Sequence, residues 1–188
     1  MTLTSNILMI IAPRQFRDEE LLVPRHVFIE HGLSVETVST QLGTATGMLG
    51  GEERITKTLE DICPDDYDAA VVVGGMGASQ NLLHNARLHA ILKAIAQKSG
   101  SKHSGIVAGI CLSGALPALA GLAAGKRCTV YETPETLSIL QQAGALYTND
   151  AVTVDGCIIT ANGPSAAKAF AEAIVAALSA KASSCSLS

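Results

Sequence analysis

At 188 residues, 48% hydrophobic and 16% charged, the chain has the size and composition of one globular domain with a sizeable core, which excludes a disordered segment. A formal net charge of −4 gives no electrostatic reason to expect a nucleic-acid partner. Five widely spaced cysteines without a Cys-x-x-Cys pair, and no basic stretch before the first apolar run, point to free thiols, no signal peptide and a reducing cytoplasm.

Residues 6–12 form a continuous apolar run, as expected of a parallel strand covered on both faces. Asp18, Glu19 and Glu20 open a helix that continues through Leu21, Leu22, Val27 and Phe28 to His31-Gly32, with Pro24 early in it. Residues 34–39 alternate as a second strand. The glycines at 43, 47, 50 and 51 punctuate residues 41–62 and suggest a small hairpin at the edge of the sheet. Residues 68–73 read as another buried strand, ending in Gly74-Gly75-Met76-Gly77. A helix over 79–98 follows, with Leu82, Leu83, Leu88, Ile91, Leu92 and Ile95 as its apolar stripe.

A strand over 105–109 then passes through Ile110-Cys111 into a helix reaching about residue 124. Residues 127–131 are extended, 134–143 form a short helix, and 146–154 and 157–161 are strands about the turn Asp155-Gly156. Pro164 opens a last Ala-rich helix, and 183–188 read as a flexible tail, leaving 1–182 as a single domain. This alternation predicts an α/β sandwich with a mainly parallel sheet. The uncharged run 104–125 is long enough to span a bilayer, but its five glycines and Pro117 favour a buried strand and helix over a membrane span.

Cys111 stands at the predicted strand-to-helix corner. There a thiol would face free N–H groups, which favour the reactive thiolate, as in a nucleophile elbow with cysteine in the serine position. A buried core cysteine explains the same residues. Gly74-Gly75, at the carboxyl end of a strand, either opens backbone N–H groups to an oxyanion or simply makes a tight turn. Gln80 occupies the third glycine position of a dinucleotide fingerprint, so no nucleotide cofactor is expected. His26 and His31, like His84 and His89, are five residues apart on different helix faces, and His103 falls in a predicted turn, so no metal site is expected.

Phe16-Arg17-Asp18-Glu19-Glu20-Leu21-Leu22-Val23-Pro24, Tyr67 to Gly75, Gly109-Ile110-Cys111, Val154 to Thr160 and Asn162-Gly163-Pro164 occur together in one order. In this the chain resembles the ThiJ/PfpI superfamily, and its deglycase branch more than its PfpI-type proteases. The resemblance implies a flavodoxin-like three-layer sandwich, a homodimer and a site that needs no cofactor. It puts Cys111 on the family's reactive cysteine, Glu20 on its partner carboxyl, and Gly75 and the Leu112 N–H on its oxyanion-binding groups.

A thiolate beside a carboxylate is costly, so one of the pair should keep a proton; where helix-terminal N–H groups favour the thiolate, Glu20 holds it, or else Glu20 simply decorates the helix start, as Asp18 and Glu19 are expected to do. Leu112 stands where PfpI-type members carry histidine, which removes a Cys-His protease dyad of that kind. Tyr131, followed by Glu132, falls near the histidine of the deglycase branch and either orients a substrate oxygen or packs as an ordinary tyrosine. The family's Cys-x-Gly is altered to Cys111-Leu112-Ser113-Gly114.

The resulting expectation is a cofactor-independent cysteine enzyme acting on small reactive carbonyls of the methylglyoxal class, glyoxalase- or deglycase-like. Its only partners would be a small electrophilic substrate and a second copy of itself. Two alternatives stand beside it: a redox-responsive or stress-protective cysteine protein with little turnover, and a hydratase of another small electrophile such as an isocyanide.

Overall fold

Alternation along each buried strand decides which side chains reach each face of the central sheet. The computed structural model describes residues 5–98 and 105–185. It runs β1 (Asn6–Ile10), β2 (Arg14–Phe16), α1 (Asp18–Glu30), β3 (Ser34–Val38), β4 (Gly43–Gly47), β5 (Glu52–Ile55), β6 (Ala69–Val72), α2 (Met76–Asn81) and α3 (Ala86–Ala96). There follow β7 (Ile106–Ile110), α4 (Leu116–Leu119), β8 (Arg127–Cys128), α5 (Pro134–Gln142), β9 (Leu146–Tyr147), β10 (Val152–Asp155), β11 (Ile158–Ala161) and α6 (Ala167–Cys185).

The main sheet has the order β10-β11-β7-β6-β1-β3. All neighbours are parallel except the hairpin partners β10 and β11. Leu8, Ile10, Ala70, Val72 and Val107 point to one face, where they pack with Leu88, Ile91 and Leu92 of α3. Ile7, Met9, Val71, Ile106 and Ala108 point to the other, against Phe28 of α1 and Phe170 and Ile174 of α6. This is the flavodoxin-like α/β sandwich expected from the chain, with helices covering both faces of a mainly parallel sheet.

Several local expectations are corrected. The hairpin β4–β5 does form, but it joins β2 in a separate three-stranded sheet instead of extending the main one. The helix expected over 79–98 is two helices. The first starts at Met76, and the chain then leaves the helix while Leu82 and Leu83 stay fully buried. Asn85 restarts it by accepting the Leu88 N–H at 2.9 Å. The helix after the corner is also shorter. Residues Cys111–Ala115 form a 3₁₀ turn, α4 adds one turn, and Gly121 at φ +71° leads the chain away.

The strand expected over 146–154 is interrupted around Asn149, which has φ +55°. At the other end of the chain, α6 continues to Cys185, into the stretch expected as tail. His103 and residues 186–188 lie outside the described residues. Among the described residues, no helix is long and apolar enough to cross a membrane.

Candidate active site

The strands β6 and β7 are parallel neighbours, with Val72 opposite Gly109, so their carboxyl ends deliver Gly74-Gly75 and Cys111 to one edge. Cys111 is the first residue after β7 and has φ +61°. A non-glycine residue held there costs on the order of 1–3 kcal/mol and persists only when its surroundings fix it. Three features fix it here. The Ser113 hydroxyl donates to the Val73 carbonyl at 2.8 Å, and the Tyr131 N–H donates to the Cys111 carbonyl at 3.1 Å. A Cβ on Gly109 would lie 2.2 Å from the Ser113 carbonyl oxygen, so the turn can fold back on its own strand only over glycine.

Glu20 enters from the first turn of α1 and is fully buried. Its Oε2 accepts the Gly74 N–H at 2.9 Å, and the Arg17 N–H donates to the Gly74 carbonyl at 3.1 Å. Gly75 has φ +99°, and a Cβ there would meet the Gln15 carbonyl oxygen at 2.5 Å, so conformation and space both require glycine. The Cys111 sulfur receives the backbone N–H groups of Gly75 and Leu112 and shares a hydrogen bond with the Glu20 side chain. Glu20 Oε1 is buried with no hydrogen-bond partner.

Burial pushes the Glu20 carboxyl up to about 7, against the lowering effect of the Gly74 N–H. Burial first, and then the charge of Glu20, push the Cys111 thiol up to about 12, opposed by the N–H groups of Gly75 and Leu112. Two adjacent charges in a dry corner repel, so the pair holds one proton through the neutral and mildly alkaline range. The unpartnered Oε1 argues for that proton on Glu20, because an ionised oxygen buried without a partner is expensive and a protonated one can donate to sulfur. The long helix N-terminus expected to support the thiolate is replaced by the 3₁₀ turn, which leaves two individual N–H groups as the donors.

A cleft of about 580 Å³ opens over the sulfur, walled by Arg17, Met48, Met76, Leu112, Tyr131 and Pro164. Tyr131 is 53% exposed in this wall and is not a packed core tyrosine. Asp18 departs from its expected role as surface decoration. It is 5% exposed, and its two oxygens accept the Leu49 and Gly51 N–H groups at 2.8 and 2.7 Å, pinning the loop that carries Met48. Glu19 holds the Arg17 guanidinium through a two-point contact at 2.8 and 3.0 Å.

The structure thus brings Cys111, Glu20, Gly74, Gly75 and Leu112 into contact and sets Tyr131 in the wall above them. The expectations from sequence passed over Arg17 and Met48. Arg17 lies beside the acidic triplet and was open to notice, whereas nothing in the chain marks Met48. Among the described residues, no group of three or more His, Cys, Asp or Glu side chains is placed to hold a metal ion.

The family model described as DJ-1/PfpI matches residues 5–177. An uncharacterized protein of Methanocaldococcus jannaschii is 42% identical over 174 residues, covering 93% of this chain and 82% of that one. A protein named as a deglycase in Pyrococcus abyssi is 31% identical over 156 residues, covering 83% of this chain and 89% of its own. Among solved structures, a ThiJ/PfpI domain protein from Brachyspira murdochii superposes with a TM-score of 0.85 at 32% identity, covering 94% of this chain and 98% of that one. With its fold, its cysteine corner and these relatives in agreement, the chain belongs to the DJ-1/PfpI family.

Proposed function

We propose that the chain is a cofactor-independent cysteine enzyme acting on small reactive carbonyls, with methylglyoxal as the representative substrate. The observation that carries this reading is the shared hydrogen bond between Glu20 and Cys111 beneath an open cleft, with two backbone N–H groups at the sulfur. The deglycase name of relatives such as the Pyrococcus abyssi protein supports the same general chemistry.

In the reactive form the proton resides on Glu20 and the sulfur is a thiolate. Sulfur attacks the aldehyde carbon, a C–S bond forms, and the carbonyl electron pair moves to oxygen. The N–H groups of Gly75 and Leu112, released as the sulfur charge is consumed, stabilise that oxyanion until Glu20 protonates it. Glu20, now ionised, removes the proton from the same carbon and returns it to the neighbouring carbon while the hydroxyl proton passes from the first oxygen to the second, converting the hemithioacetal into a thioester. Water then cleaves the C–S bond and restores the thiol. The sum is methylglyoxal plus water to lactate, with no net oxidation and no electron carrier.

Purified protein should consume methylglyoxal and release lactate, with the Cys111→Ser variant at least about a hundredfold slower, the scale of losing a nucleophile and its acid–base partner. Equal rates for the two proteins would sink the proposal. One observation favours a redox role beside turnover: Cys111 sits at the floor of a cleft open to small oxidants while hydrogen-bonded to a carboxyl. Mass spectrometry after mild peroxide tests that reading through selective oxygen addition at Cys111; uniform oxidation of all the cysteines would remove it.

A further inference from the structure

Beside the thiol cleft lies a second recess of about 400 Å³, lined by Tyr131, Glu132, Asn149, Asn162, Pro164 and Ser165. Tyr131 and Pro164 line both spaces, so the two adjoin along a shared wall. Their linings differ. Three apolar side chains, Met48, Met76 and Leu112, face the thiol cleft, whereas the recess is walled mainly by polar groups.

The backbone N–H of Asn162 is spent on the Ala151 carbonyl, but its side-chain amide, like the Ser165 hydroxyl, has no protein hydrogen-bond partner among the described residues. The Tyr147 hydroxyl steadies the opposite wall, donating to Glu132 Oε1 at 2.8 Å and lying 3.0 Å from Asn149 Oδ1. A single hydroxyl proton cannot neutralise a carboxylate, so Glu132 presents its charge to the recess. Among the described residues that line it, Glu132 carries the only formal charge. The recess therefore offers an amide, a hydroxyl and a negative charge across a wall shared with the Cys111 cleft.

We propose that this recess is a second subsite of the same active site, taking an ammonium-bearing tail of a substrate whose electrophilic carbon sits at Cys111. This rests on the reading of Cys111 as the nucleophile and narrows its substrate class. A bare two- or three-carbon aldehyde leaves the recess unused. A carbonyl joined by a short linker to a primary amine fills both spaces, with Glu132 facing the ammonium and Asn162 and Ser165 its hydrogen-bonding neighbours. A carboxylate tail is disfavoured by the same Glu132 charge.

The test reads the thiol directly and needs no turnover. Cys111 is alkylated with two haloacetamides of equal length, one ending in an ammonium and one in a carboxylate, and labelling is followed by mass spectrometry. Each rate is divided by that of iodoacetamide on the same protein and corrected for the probe's rate with a free small thiol. The ammonium probe is expected to label about tenfold faster than the carboxylate probe at low salt, a preference that shrinks as salt screens it. In Glu132→Gln the ratio should fall to about threefold or less, as one charge is removed. Asn162→Leu, with Ser165→Ala as a second variant, should lower the normalised rate of the ammonium probe. A ratio near one in the native protein, or a ratio that Glu132→Gln leaves in place, overturns the proposal. Failure to consume methylglyoxal would instead count against the turnover reading, so the two stand or fall by separate measurements.

Discussion

Glu20 and Cys111 meet across Gly74, where an added Cβ would sit 2.7 Å from both Glu20 Oε2 and Cys111 Cβ. The same Cβ would lie 2.7 Å from the Ile110 carbonyl oxygen, which is backbone and cannot swing aside. Gly74→Ala should therefore force the carboxyl away from the thiol. Urea unfolding should show a loss of about 1–3 kcal/mol, the usual range for overpacking a tight site. Methylglyoxal turnover should drop more than tenfold, because hydrogen bonding between acid and nucleophile depends on that separation. An active, fully stable Gly74→Ala protein would show that the pair tolerates being parted.

Stability should depend on pH through Glu20. Its carboxyl sits at about 7 in the folded protein against an ordinary value of 4.5, so the folded state binds this proton more tightly than the unfolded state. The favourable contribution is fully present below about 4.5, is lost as pH rises toward 7, and stays lost above it. A rise of this size corresponds to about 3 kcal/mol. Unfolding free energies measured from pH 4.5 to 8 should show the decline in the native protein, and Glu20→Gln should flatten it. A matching decline in the variant would assign the effect to another group.

The thiolate itself can be followed by ultraviolet absorbance. With the pair's remaining proton held on Glu20, the first proton shed comes from Cys111, so Cys111-dependent absorbance should rise below the ordinary cysteine range and be missing from Cys111→Ser. Glu20→Gln should move the midpoint upward, since an amide cannot carry the proton that the thiolate form leaves on the carboxyl. A native midpoint in the ordinary cysteine range of about 8.5 would remove the basis for an activated thiol.

Asp18 offers a separate handle on the cleft wall. Asp18→Asn keeps one acceptor oxygen where the native carboxylate serves both Leu49 and Gly51. A loss of about 1 kcal/mol is expected, together with faster amide exchange at those two residues. The thiolate midpoint should not move, because Asp18 bonds the loop and not the sulfur. Unchanged exchange at Leu49 and Gly51 would show that something else holds the loop.

Much of the sheet was legible because strands buried on both faces are apolar at every position: β1, β6 and β7 stand out as unbroken runs, and the corner at Cys111 follows directly from one of them. The break between α2 and α3 was not, because Leu82 and Leu83 carry the apolar spacing straight through residues that are not helical. Asn85 was the missed signal. Glu20 was reached only through family resemblance, since an acidic residue in a first helical turn is ordinary on its own. The work of Asp18 was hidden for a different reason. Its partners are backbone N–H groups around thirty residues downstream, and a backbone donor leaves no mark in the side-chain pattern.

The parallel pairing of β6 with β7 also governs when the chemistry becomes possible. Glu20, Gly74-Gly75 and Cys111 arrive from α1 and from the ends of two strands distant in the chain, and they meet only once those strands lie side by side. A chain still emerging from the ribosome, with β7 unmade, carries an ordinary cysteine. On the proposed function, reactivity would come only with the finished sheet, and partly folded copies would carry no activated thiol.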